Sequence, residues 1–316
     1  MMTSFTFRRN RLAVLPLCLF LAGGAGALAQ DVRVETQQQA RLRNQNTQEE
    51  EQATPEETSD PELGDINLVS RAPRPKMFTF FTGQTLNYTS NAFLVRDGEQ
   101  SDLFWQGGIG ASFVPFATRN FTPRLTFDQN WFRYHDFGAL DFDSQSLQLD
   151  LKYDLNRDDT WYVNGSYAVA RLYAPRGSTG EFYRYGLLSG SITHLIQLRT
   201  APISLSLSGG AYSRHGDPSF SDRVAGYVNV AAIYTICEKV QLWGFIHPEV
   251  QHYTHDVSGS SREDFNLTVG SVLNWSPKDY LSVGITATYT GNFSNVSERR
   301  YDVVTPSLFF GAQIAF

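Results

Sequence analysis

The 316-residue chain has 26 Lys and Arg against 32 Asp and Glu, a formal net charge of −6, with 14% aromatic residues, 25 Gly and two Cys. Its mean hydropathy of −0.29 excludes a bundle of membrane helices, each of which would need about 20 apolar residues in a row. The negative balance gives no support to a nucleic-acid partner, and the length allows one large domain or two small ones.

Taken in order, the chain opens with Arg8, Arg9 and Arg11 before an apolar run from Leu12 to Ala22 and a small-residue stretch ending Ala27-Leu28-Ala29. Residues 1–29 therefore read as a signal peptide cleaved before Gln30 and exported by the Sec route, because the run is too short to span a bilayer. Residues 30–76 differ sharply from the rest. They include Gln37 to Gln39 and Glu49 to Glu51, and positions 31–75 hold ten acidic and five basic residues and no aromatic. So little apolar surface predicts a disordered periplasmic leader, free to meet a periplasmic partner, and Pro61, Pro73 and Pro75 stop any helix from running directly into the first strand. With the signal removed Cys237 is the only cysteine, so no internal disulfide and no cysteine metal site is expected.

From Met77 onward apolar and polar residues alternate with period two. Leu147, Leu149, Leu151 and Tyr153 alternate with Gln148, Asp150, Lys152 and Asp154; Val283, Ile285, Ala287 and Tyr289 alternate with Gly284, Thr286, Thr288 and Thr290. One face suits hydrocarbon and the other suits water. About twelve such segments are predicted, near 77–94, 103–116, 123–134, 144–155, 160–173, 182–198, 202–213, 223–236, 239–253, 264–275, 280–292 and 303–316. Short connections alternate with long ones, which predicts short periplasmic turns, long outer loops and an antiparallel up-and-down β-barrel over 77–316. Trp161, Tyr234, Trp275, Tyr280 and Phe316 are then expected at the periplasmic rim, with Trp105, Trp131, Tyr173, Tyr183 and Tyr289 toward the outer one. A soluble sandwich is the competing fold, but the polar faces are rich in Ser, Thr, Gly and Asn and too small to fill a core.

The last strand places Leu308, Phe310, Ala312, Ile314 and Phe316 on one face. It resembles the C-terminal strand of Gram-negative outer-membrane proteins, in which alternating apolar residues ending in Phe are read by the barrel-assembly machinery. That resemblance implies delivery by periplasmic chaperones, insertion into outer-membrane lipid, and an assembly signal built from Phe310, Ile314 and Phe316. Tyr88-Thr89-Ser90-Asn91 also resembles a Y-x-S-N motif in the first strand and loop of several porin-like families, although a polar strand end turned by Asn91 explains the same residues.

The inward face is expected to line a lumen with Arg124, Asp128, Gln148, Asp150, Lys152, Asp154, Arg214, His247, Glu249 and Asp264, joined by Arg184. Arg124 is expected near Asp154 at the periplasmic end, as a cross-strand pair of opposite charges. His247, Glu249, Gln251 and His255 fall on one face of the ninth strand. His–Asp neighbours recur in the outer loops, at His135 and Asp136 with Asp141 and Asp143, at His215 with Asp217, and at His255 with Asp256. Outer-membrane proteases of the omptin type use such residues at their rim. No phosphate loop, dinucleotide fingerprint or zinc-type cluster is present, so no cofactor, metal or catalytic residue is expected. The leading expectation is a passive porin-like channel for small hydrophilic solutes; the alternatives are a non-conducting structural or interaction barrel and, behind it, a rim-site hydrolase. If the last strand is the assembly signal, Phe316→Asp should lower the outer-membrane yield of heat-modifiable barrel and leave unfolded protein in the periplasm. A normal yield of the folded form would count against the signal.

Overall fold

The computed structural model describes residues 75–156, 160–175, 180–198, 201–254 and 261–316. The signal peptide, nearly all of the leader and His255 with Asp256 lie outside the described residues. Twelve strands run in order: β1 (Phe78–Thr89), β2 (Asp102–Phe113), β3 (Phe121–Tyr134), β4 (Phe142–Asp154), β5 (Trp161–Tyr173), β6 (Glu181–Gln197), β7 (Ile203–Asp217), β8 (Arg223–Cys237), β9 (Val240–Tyr253), β10 (Arg262–Lys278), β11 (Leu281–Ser294) and β12 (Tyr301–Ala315). Each pairs antiparallel with its neighbour in sequence, and β1 pairs with β12, so the sheet is a closed barrel.

The closing seam runs from Thr79 opposite Ala315 to Asn87 opposite Ser307. Beyond it Phe78 and Phe316 exchange backbone hydrogen bonds of 3.0 and 2.9 Å, and the Phe316 ring lies 5.9 Å from Phe80 and 6.1 Å from Phe78. Phe310, Ile314 and Phe316 all point outward and are exposed. Extending the partner register once around the wall, from position 79 through Ser112, Thr126 and Gln148, returns to β1 at position 97. A climb of about 18 residues corresponds to a strand tilt of roughly 45° and a backbone radius of roughly 13 Å.

Period-two alternation explains which face is which. Leu147, Leu149, Leu151 and Tyr153 are exposed outward while Asp150 and Asp154 are buried inward; Phe265, Val269, Leu273 and Trp275 are exposed outward while Asp264 is buried. An outer wall this apolar needs hydrocarbon around it. Trp161, Tyr234, Trp275, Tyr280 and Phe316 are all exposed around the end with the short turns, as expected for a rim girdle.

Most strand ends fall within three residues of the sequence reading, and three of the differences have a structural consequence. β1 stops at Thr89 rather than near 94, because Asn91 turns the chain: its Nδ2 donates to the carbonyls of Val95 (2.7 Å) and Asp302 (3.2 Å), and its Oδ1 accepts from the Val95 N–H (3.1 Å). β7 continues to Asp217, and β10 runs through Ser276 to Lys278 with a register shift that accommodates Pro277. On β6 the phase is also corrected. Tyr183 is buried inside rather than at the rim, so Arg184 faces outward and pairs with Asp217 at 2.8 Å instead of lining the lumen.

Candidate functional site: the barrel interior

The interior has two regions, an outer mouth packed with large side chains and a bore lined mainly by small ones. Half of the mouth is aromatic. Phe104, Phe132, Tyr134, Phe142, Leu172, Tyr183 and Tyr185 project inward from β2–β6 and pack with Leu140 and Ala92 from the connecting segments. Phe132 stacks on Phe142 at 4.2 Å, and Phe104 on Tyr134 at 4.9 Å. The 3-10 turn Gly138–Leu140 tucks Leu140 into this cluster, and Phe93 meets Phe137 edge-on at 5.0 Å. The expected inner face of small polar and charged residues is corrected here by these large apolar side chains. At these strand ends large apolar side chains face inward while Arg133, Asp143, Arg171 and Arg184 stand on the outer face, so apolar character no longer marks the outside.

The other half of the mouth is charged. Arg214 pairs in register with Arg223, and Tyr253 pairs with Arg223 on one side and Arg262 on the other, which sets three arginines in one row across β7–β10. Tyrosine rings and carboxylates offset the burial of these cations. The Arg214 guanidinium lies 3.7 Å from the Tyr185 ring centre, and Arg262 lies 3.8 Å from that of Tyr253. Glu249 accepts from the Tyr212 hydroxyl, from Gln251 Nε2 at 2.7 Å and from His247 Nε2 at 3.3 Å, while Arg223 Nε donates to the Tyr212 hydroxyl at 3.0 Å. Asp264 accepts from Arg262 Nε at 3.0 Å and from Asn292 Nδ2 at 2.9 Å. The 3-10 turn Ser219–Ser221 ties the two halves together. The Ser221 hydroxyl bonds to that of Tyr183, Phe220 packs 5.0 Å from the Tyr183 ring, and Asp222 Oδ1 accepts from the Gly216 N–H at 2.6 Å.

Toward the periplasmic end, assigned by the short turns, the predicted row Gln148, Asp150, Lys152 and Asp154 does face inward. Its pairing is corrected in one respect. Arg124 stands opposite Asp150 in register, while Asp154 takes Lys152, its neighbour two residues back, at 3.3 Å. Gln148 Nε2 donates to Asp150 Oδ1 at 2.7 Å, the Ser146 hydroxyl donates to Asp128 at 3.2 Å, and Lys152 Nζ sits 4.7 Å from the Tyr162 ring centre. Asn164, Ser189, Ser191, Thr286, Thr288, Thr290 and Ser307, at or near mid-height, are half-buried. Inward phenylalanines here lie flat against the wall. Phe81 covers Gly110, Phe309 covers Gly284, and a Cβ added at Gly270 would meet the Phe245 ring at 2.6 Å. Glycine at these positions keeps the rings out of the bore.

Five inward polar atoms in this region have no hydrogen-bond partner in the protein although they are buried: Thr126 Oγ1, Asn164 Oδ1, Asn229 Oδ1, His247 Nδ1 and Asn274 Oδ1. At the outer rim His135 Nδ1 and Asp136 Oδ1 are 2.9 Å apart and exposed. Asp102, whose ligand atoms come within 4.8 Å of theirs, is committed to the backbone N–H groups of Leu103 (2.7 Å), Asp136 (3.1 Å) and Phe137 (3.1 Å). His215 Nε2 lies 3.0 Å from the Ser213 hydroxyl, and Asp217 is held by Arg184. These pairs are parts of loop and strand-end structure.

The ten residues expected in the lumen all project inward, Arg214, Glu249 and Asp264 within the packed mouth network. Sequence reasoning missed Arg223, Arg262, Tyr212 and Tyr253. Arg262 was within reach of it, since it sits two residues before Asp264 and so shares its face.

No family model matches the sequence, and no curated protein matches it. Among solved structures the chain is similar to an outer-membrane channel from Pseudomonas putida F1, at 14% identity over 81% of this chain and 100% of that one, with a TM-score of 0.52. It is also similar to the translocator domain of autotransporter NalP from Neisseria meningitidis (11% identity, 75% and 88% covered, TM-score 0.45) and to the KdgM porin in complex with disordered oligogalacturonate (10%, 75% and 99%, TM-score 0.42). The first likeness shows the fold, that of a bacterial outer-membrane barrel.

The Arg262–Asp264 pair yields a stability test. Arg262→Leu leaves a buried carboxylate short of its cation and should cost about 3–5 kcal/mol in urea unfolding of the detergent-folded barrel, with much of the loss recovered by adding Asp264→Leu. A single variant as stable as the parent would contradict the assigned role of the pair.

Proposed function

We propose that the barrel is a narrow passive channel of the outer membrane for small hydrophilic solutes, reached through Sec export, with its outer mouth closed in the conformation described. The observation that carries this reading is the set of buried, inward polar atoms without a protein partner. A dry core satisfies its polar groups, whereas a hydrated bore supplies the missing partners as water or passing solute. The small side chains at mid-height and the rings laid against glycine agree with it. Conduction to the outside requires the segments around Gly138–Leu140 and Ser219–Ser221 to withdraw from the mouth.

The packed mouth favours a second reading, a structural or interaction barrel that conducts nothing. No catalytic role is assigned to the rim, where Asp102, Asp141 and Asp217 are engaged in holding loops and strand ends. Purified protein in a planar bilayer separates the two readings: stepwise conductance is expected of the channel, and silence under voltage and after loop removal is expected of the scaffold. In a conducting barrel the acidic row governs ion preference, because low-dielectric walls focus its field. Asp150→Asn combined with Asp154→Asn should move the reversal potential toward anion preference. Unchanged selectivity in a conducting variant would remove this row from the mechanism.

A further inference from the structure

We infer that the bore contains a binding site for neutral polyhydroxylated solutes at Asn229 and His247, an inference that rests on the channel reading above. Asn229 on β8 falls opposite His247 on β9, since Tyr227 pairs with Glu249 and Val230 with Ile246 on either side of them. Both side chains face inward and are more than nine-tenths buried, and neither Asn229 Oδ1 nor His247 Nδ1 has a hydrogen-bond partner.

The chemistry of the pair is set by its neighbours. Glu249 gathers hydrogen bonds from the Tyr212 hydroxyl, Gln251 Nε2 and His247 Nε2, and an ionised carboxylate can only accept. With Nε2 donating to that carboxylate, the neutral imidazole tautomer of His247 presents Nδ1 as an acceptor. Asn229 Oδ1 is an acceptor as well. Two acceptors side by side on one wall call for donors. Thr268, beside His247 on β10, has its hydroxyl engaged with Asn266 and Thr290 at 3.3 and 3.1 Å and does not supply one. The Tyr227 ring, 5.2 Å from that of His247, forms an aromatic flank against which C–H surface can lie.

Three solute classes could meet such a pair, and the surroundings choose among them. Ammonium groups and metal cations are disfavoured, because the Glu249 carboxylate beside the pair is already engaged by Tyr212, Gln251 and His247, and Arg214 and Arg223 stand in the same wall. Anions bring acceptors where donors are needed. Neutral polyols bring hydroxyl pairs that donate to both atoms and an apolar carbon face for Tyr227.

The test uses single-channel current with sorbitol or tetraethylene glycol added on the periplasmic side. The two are similar in mass, but the glycol offers ether acceptors and only its terminal hydroxyls as donors. Sorbitol should lower the wild-type current saturably, and tetraethylene glycol only in step with viscosity. His247→Phe and Asn229→Leu should each raise the half-saturating sorbitol concentration about tenfold and leave the effect of the glycol unchanged, the loss expected for one hydrogen bond in a site held from bulk water. Heat-modifiable gel mobility checks that each variant folds, and either one suffices. Equal effects of the two solutes on the wild type, as a site filled by water alone gives, would overturn the inference. Should the wild type carry no current, calorimetry of sorbitol with the detergent-folded barrel decides the site separately. Saturable heat lost in the variants supports it without a channel, and its absence overturns it.

Discussion

Hydrocarbon offers no partner to a backbone N–H or C=O, so a sheet that crosses a membrane must pair its first strand with its last. In this chain that demand falls on the seam between β1 and β12, which runs from Thr79 opposite Ala315 to Asn87 opposite Ser307 and is extended by Phe78 and Phe316. Everything else is arranged around the closed wall. Closure removes the edges, fixes the register, and leaves each strand one face for lipid and one for the interior. The charged side chains at mid-barrel face inward because the outward positions beside them are occupied by leucine, valine, isoleucine and aromatic residues.

Once the wall is closed its interior has to be filled with something, and this sequence does so in two ways. At the mouth, aromatic packing on β2–β6 and an arginine, tyrosine and carboxylate network on β7–β11 bury their side chains against one another. Three buried guanidiniums in one row would repel each other strongly without Glu249, Asp264 and the tyrosine faces beside them. Farther down, serine, threonine, asparagine and glycine dominate, and several polar atoms face the axis without protein partners. The contrast between a mouth packed with large side chains and a bore lined mainly by small ones is what the channel reading rests on.

The outward face was readable in the sequence because lipid punishes a polar residue wherever it meets hydrocarbon, so β4, β10, β11 and β12 alternate over most of their length, with exceptions such as Ser271 outward and Val272 inward on β10. All twelve strands could be placed on that basis, and so could the inward direction of Asp150, Glu249 and Asp264. The inward face at the mouth was not readable. On β6, Phe182, Tyr183, Tyr185 and Leu187 give an apolar signal on both faces, which is why Tyr183 was expected at the rim and Arg184 inside. Pairing within the bore was legible only in part. The sequence placed Arg124 and the acidic row on facing strands, but a shift of four residues along β4 decides whether Arg124 meets Asp154 or Asp150, and that shift depends on the turn geometry.

The central claim, a hydrated bore beneath a dry mouth, is tested most directly by thiol accessibility in a Cys237→Ser background. Single cysteines at Thr288, Asn164, Ile285 and Phe142 would be exposed to a small, water-soluble, membrane-impermeant maleimide in the folded barrel. The account predicts rapid labelling at 288 and 164, and protection at 285, which faces lipid, and at 142, which lies in the mouth core. Protection at 288 and 164 as complete as at 142 would show an interior that is dry throughout, and would contradict the account.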